Sequence, residues 1–115
     1  MKGVDPIKLE NKDTGKTYIL EFNRASVKRA ERNGFNVAEI GEKAVSGIED
    51  LFYYSFYMHQ GNSVSREDAE RILYDELGGM PDGVLDRLAE LYAVCLESLY
   101  QDEETAKNSK WSVKF

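Results

Sequence analysis

The chain has 115 residues, 42% hydrophobic and 31% charged, with 21 acidic against 15 basic side chains and a formal net charge of −6. That is the composition of one soluble globular domain with a modest core, and it excludes a disordered chain and a basic surface for a phosphate backbone. No apolar run approaches the roughly 18 residues that cross a bilayer, and Met1-Lys2-Gly3-Val4-Asp5-Pro6 has no apolar signal region, so the chain is expected to stay in the cytoplasm.

Cys95 is the single cysteine, which rules out an internal disulfide and suits a reducing compartment. Lys28, Arg29 and Arg32 form only a small basic group with Glu31 among them, and no nucleic-acid partner is expected.

Residues 4–22 read as a β-hairpin. Ile7 and Leu9 alternate with charged neighbours, as do Tyr18, Leu20 and Phe22 with theirs, and Asn11-Lys12-Asp13-Thr14-Gly15-Lys16 supplies turn residues between the two runs. Asn23 is placed to cap a helix over Arg24–Arg32, with Val27 and Ala30 facing inward. Gly34 then serves as the left-handed residue beyond the helix end, and Phe35 as its apolar contact. Asn36-Val37-Ala38-Glu39 resembles a capping box that opens a short turn of helix, weakened by Gly41.

A long helix is predicted from about Lys43 to Gln60, stopping at Gly61-Asn62. It carries five of the thirteen aromatic residues within six positions, Phe52 to Tyr57. At about 100° per residue, Val45, Ile48, Phe52, Phe56 and His59 share one stripe, the expected core face. Tyr53 and Tyr57 point one way and Tyr54 with Met58 another, so the second half is apolar all round. Such a helix must be covered all round, and five aromatic side chains can bury roughly 150–250 Å² each. Tyr53, Tyr54, Tyr57 and Met58 are therefore expected to meet another chain, either a partner or a second copy, the alternative being burial under the hairpin.

Ser65 is expected to cap the amide of Asp68, with Val64 stapled against Ala69. Arg66/Glu70 and Glu67/Arg71 are spaced for outer ion pairs, and Ala69, Ile72, Leu73 and Leu77 make the inner stripe. Gly78-Gly79 ends this helix. Pro81 suits the first turn of a last helix running to about Asp102, with Val84, Leu85, Leu88, Leu91, Tyr92, Cys95, Leu96 and Leu99 at helical spacing. Trp111-Ser112-Val113-Lys114-Phe115 alternates like a short C-terminal strand, expected to add to the hairpin's edge or to dock on a partner through Trp111 and Phe115. The fold class is α+β and mostly α: an N-terminal hairpin packed on a bundle of about four helices. Residues 1–104 form the single domain (hairpin 4–22, helices 24–104), and 105–115 are its C-terminal tail.

Catalytic chemistry finds little footing. His59 is the only histidine and has no cysteine pair to complete a zinc site. Cys95 lies on an inner stripe, where a thiol is inert. Glu67, Asp68 and Glu70, like Asp102, Glu103 and Glu104, sit on outer faces or a frayed end, without the split environments that acid–base work needs. Gly78-Gly79-Met80-Pro81-Asp82-Gly83 follows a helix and lacks the Lys-Ser/Thr pair of a phosphate loop. No cofactor, metal or enzymatic activity is expected.

Tyr18-Ile19-Leu20-Glu21-Phe22-Asn23-Arg24, Glu31-Arg32-Asn33-Gly34-Phe35-Asn36-Val37-Ala38-Glu39-Ile40 and Leu51-Phe52-Tyr53-Tyr54-Ser55-Phe56-Tyr57-Met58-His59 follow one another along the chain. Together they resemble the small tail assembly chaperones of long-tailed phages and prophages of Gram-positive bacteria, over about Ile7 to Tyr100. The resemblance implies a non-enzymatic protein that coats apolar helices of the tape measure protein while tail tube protein polymerises around it. It also implies location in the cytoplasm of the bacterial host, absence from the finished virion and, in many such genes, a longer frameshifted product. A homo-oligomer is expected as well. Two alternatives from other classes are a head–tail connector or completion protein, and a phage-encoded inhibitor of a host protein.

Overall fold

The alternation of Ile7 and Leu9 with exposed Lys8 and Glu10 makes strand β1 (Ile7–Glu10), which pairs antiparallel with β2 (Thr17–Leu20). The structure, a computed structural model, describes residues 3–115. The hairpin turn is held by Asn11, whose Oδ1 accepts from the N–H groups of Asp13 (2.9 Å) and Thr14 (3.1 Å). Asn11 N–H donates to the Lys16 carbonyl at 2.8 Å. Bonded and non-bonded pairs alternate along an antiparallel ladder, so Leu9–Tyr18 and Ile7–Leu20 are bonded pairs and Lys8–Ile19 is not. The N–H and C=O of Ile19 consequently point away from β1. Gln60 takes both: its Oε1 accepts from Ile19 N–H at 2.9 Å, and its Nε2 donates to the Ile19 carbonyl at 3.0 Å.

Helix α1 (Arg24–Arg32) begins at a reciprocal cap in which Asn23 Oδ1 accepts from Ser26 N–H and Ser26 Oγ accepts from Asn23 N–H, each at 2.8 Å. Val27 and Ala30 are buried, as their spacing predicts. Gly34, at φ 91°, takes the left-handed turn that lets Phe35 fold back and donate to the Ala30 carbonyl at 2.9 Å. The short α2 (Glu39–Glu42) follows an Asn36 side chain that accepts from Ala38 N–H at 3.0 Å. It packs closely on α3 (Ala44–Tyr54), where a Cβ added to Gly47 would lie 2.8 Å from the Ile40 Cα.

The predicted Lys43–Gln60 helix is broken. α3 ends at Tyr54 and a separate turn, α4, covers Tyr57–Gln60. Ser55 is fully buried; its hydroxyl donates to the Phe52 carbonyl at 2.6 Å, and its own carbonyl accepts from Glu21 N–H at 3.0 Å. Phe56 N–H bonds back to Tyr53 at 3.2 Å, a tightened i→i−3 turn. The break re-aims the core face. Gly47, Leu51, Phe52, Tyr54 and Phe56 point inward, whereas Val45, expected inside, is 69% exposed, and His59 sits at the surface.

After a 3₁₀ turn (Gly61–Ser63), α5 (Arg66–Arg71) starts at the expected Ser65–Asp68 cap and widens into a π-turn over Ile72–Glu76. Ala69, Ile72 and Leu73 are buried, but the widened turn leaves Leu77 exposed, against expectation. Helix α6 (Val84–Glu97) begins three residues after Pro81, from Gly83 in the left-handed region, and ends well before Asp102. Leu88, Leu91 and Tyr92 are its buried residues, and Tyr92 lies edge-on to Phe22 and Phe35 at 5.2 and 5.6 Å. A capping box between Asp102 and Thr105 opens the five-residue α7 (Glu103–Lys107). Residues 111–115 form no strand in this chain and are exposed throughout, which corrects the expected C-terminal strand.

The architecture is thus α+β and mostly α, a two-stranded hairpin on a helical bundle. The radius of gyration is 16.3 Å and the longest extent 56 Å. A compact chain of this length would have a radius near 13 Å, so the exposed C-terminal segment stands off the body.

Candidate functional site

Breaking the aromatic helix at Ser55-Phe56 gathers Tyr53, Tyr54 and Tyr57 around two arginines from other helices. Arg29, three residues from the end of α1, lies over Tyr57 at 4.7 Å, Tyr53 at 5.5 Å and Tyr54 at 5.7 Å from the ring centroids. Its Nη2 also donates to the Tyr53 hydroxyl (3.2 Å) and to Asn62 Oδ1 (3.3 Å). Arg66, at the start of α5, lies over Tyr53 at 4.5 Å and Tyr54 at 5.6 Å. It pairs with Asp50 at 2.7 Å and donates to the Tyr54 hydroxyl at 3.4 Å. Burial alone would lower the pKa of Arg66, but the hydrogen bond and charge of Asp50 outweigh it, so the guanidinium is held more firmly charged than usual.

The second-face residues therefore divide. Tyr54 is 4% exposed and tilted against Phe35 at 6.0 Å, which makes it a core residue, not a surface one. Tyr53 and Tyr57 are half-buried under their own chain's guanidinium groups. Met58 is exposed, and Trp111 and Phe115 are fully so. The four residues 53, 54, 57 and 58 do not form one bare patch. Sequence reading missed Arg29 and Arg66 as the groups that cover this surplus. The available signal was an aromatic excess facing too small a core, with arginines on neighbouring helices able to stack on it.

The predicted outer pairs of α5 also rearrange. Arg66 reaches Asp50 in place of Glu70, and Arg71 holds Asp68 (2.9 Å) and Glu76 (3.1 Å) in place of Glu67. The backbone amide at Ser65 and then Arg71 keep the Asp68 carboxyl below its ordinary range. His59 Nε2 sits 2.8 Å from Glu21 Oε1 at the surface. Cys95 is half-buried, and burial pushes its thiol up, away from the reactive thiolate. Tyr74 donates to Glu49 at 2.6 Å, which with burial raises its hydroxyl to about 12. Among the described residues, no group of three His, Cys, Asp or Glu side chains is placed to hold a metal ion.

Two open grooves flank the body. One, about 850 Å³, runs between the hairpin and the Ile72–Glu76 turn, over Leu9, Tyr18, Ile72 and Leu77. The other, about 480 Å³, lies on α1 between Lys28, Arg29, Arg32 and Tyr57. No described helix is long and apolar enough to cross a membrane.

No curated protein and no solved structure matches this chain. Residues 2–115, nearly its whole length, match a domain of unknown function, DUF5055, and the chain belongs to that family.

Proposed function

We propose that this chain is a non-enzymatic binding protein that shields apolar helical segments of a long partner chain during assembly. The tape measure protein of a phage tail is the proposed client, and the tail tube protein that polymerises around it a second contact. One observation carries the reading: Leu99, Tyr100, Trp111, Val113 and Phe115 are between 65% and 119% exposed along the C-terminal segment, with no cover from their own chain. Aromatic side chains presented this way are what an interface core uses, and a surplus of negative charge keeps such a chain dispersed. The resemblance of Tyr18–Arg24, Glu31–Ile40 and Leu51–His59 to tail assembly chaperones supports the same reading. The protein would act in the cytoplasm of the bacterial host and leave before the virion is complete.

The test is co-expression with a tape measure protein from the same genome. The client should move from the insoluble to the soluble fraction when this chain is present. A client that stays insoluble at every expression ratio contradicts the proposal.

A further inference from the structure

The hairpin has two outer edges, and among the described residues only one is closed. Gln60 occupies the β2 edge at Ile19. By the same alternation, the N–H and C=O groups of Lys8 point away from β2 on the β1 side. No described backbone group bonds them, and an open edge of this kind is a template for another strand. Beside that edge lies the groove of about 850 Å³, in which Leu9, Tyr18, Ile72 and Leu77 sit among the polar and charged side chains of the hairpin turn and of Arg71, Asp75 and Glu76.

The C-terminal segment has the complementary properties. Trp111, Val113 and Phe115 alternate with Ser112 and Lys114, so one face of an extended strand is apolar and the other polar. Residues 107–115 contain Lys107, Lys110 and Lys114 and no acidic side chain, whereas residues 1–106 hold twelve basic against all 21 acidic groups, a net −9. The segment is thus basic and aromatic on an acidic body, and in its own chain it projects instead of folding back.

We propose that, in the absence of a client, residues 110–115 of one copy add as a strand to the β1 edge of a second copy, with Trp111, Val113 and Phe115 laid over that copy's groove. Six extended residues span about 20 Å, enough to run the whole of β1. Two aromatic rings bury roughly 150–250 Å² each. If two copies exchange segments, the four rings alone bury about 600–1,000 Å², the size of a weak, concentration-dependent contact. The contact is heterologous, segment to hairpin, and reciprocal exchange closes it into a pair.

Trp111 is the only tryptophan, so its emission reports the segment directly. The experiment follows the mass of the full chain by sedimentation and its Trp111 emission across concentration, without any client. The proposal expects association with a blue shift that grows with concentration. Lys8→Pro, which removes the outward N–H together with the lysine charge, should weaken association at least tenfold, as should Trp111→Ser/Phe115→Ser. Leu77→Glu, at an exposed groove position, should do the same if Lys8→Pro fails to fold. Mixing the edge variant with the segment variant should recover one of the two contacts, giving a mixed pair weaker than wild type but stronger than either variant alone. A single-copy mass at every concentration overturns the proposal, whether Trp111 stays exposed or is already shielded by its own body. Association that survives both kinds of variant also overturns it.

Discussion

Gln60 closes the β2 edge by acting as a one-residue strand toward Ile19, accepting from its N–H at 2.9 Å and donating to its carbonyl at 3.0 Å. The same Nε2 donates to the Phe56 carbonyl at 2.7 Å, so one side chain ties the hairpin to the break in the aromatic helix. Gln60→Ala leaves the partly buried N–H and carbonyl of Ile19 unpaired, which costs about 1–3 kcal/mol. Urea unfolding should show that loss, and the Ile19 amide should lose its protection against hydrogen exchange. An unchanged Ile19 exchange rate would mean that the contact does not hold in solution.

Gly47 is required by close approach. Its added Cβ would meet Ile40 at 2.8 Å from Cα and 3.0 Å from the amide nitrogen, so backbone would have to move. Helix propensity favours alanine by about 1 kcal/mol, whereas overpacking of this kind costs about 1–3 kcal/mol. Gly47→Ala should therefore be neutral to destabilising, with the change concentrated where α2 meets α3. A gain near 1 kcal/mol in thermal unfolding would show that the two helices are not in contact.

Tyr53 lies within reach of two guanidinium groups, so its removal is felt by the fold. Tyr53→Ser should lower stability by about 1–3 kcal/mol through lost burial and lost stacking on Arg66 and Arg29. Met58→Ser, at an exposed position, should stay within about 0.5 kcal/mol. Equal, negligible effects of both would place Tyr53 on the free surface.

Alkaline pH should destabilise the protein through Tyr92. Burial, with smaller contributions from Glu31 and Cys95, raises its hydroxyl from 10.0 to about 12. A folded pKa above the unfolded one contributes fully below pH 10 and is lost as pH rises through about 12. Two units correspond to about 3 kcal/mol at most. Tyr74 titrates in the same direction, but it is exposed and its pairing with Glu49 is screened by solvent. Tyr92→Phe should therefore remove most of the loss between pH 10 and 12 in denaturant titrations, with little change at pH 7. A wild-type stability flat across that window would contradict the burial of the Tyr92 hydroxyl.

The parts that local chemistry dictates were legible in the sequence. The hairpin follows from alternation and from Asn11, the start of α1 from Asn23, its end from Gly34 and the start of α5 from Ser65. The parts that depend on distant partners were not. Nothing within a turn of Ser55 signals a helix break, because the competing donor, Glu21 N–H, lies thirty-four positions away. Arg66 has Glu70 at good spacing but finds Asp50 and two tyrosine rings across the bundle, a better-shielded site. Tyr54 reads as a surface residue until the break turns it toward Phe35. Of the nominated contact residues, Trp111 and Phe115 are the most exposed, while the tyrosines are largely engaged by their own chain.

The most direct test of client binding through the C-terminal segment is co-purification. The tagged tape measure protein would be expressed with the wild-type chain or with Trp111→Ala/Phe115→Ala, and the bound ratio measured after matched elution. The account predicts that wild type co-elutes with the client and that the double variant, equally stable to urea, loses at least tenfold of that binding. Equal recovery of both chains, or of neither, would contradict it.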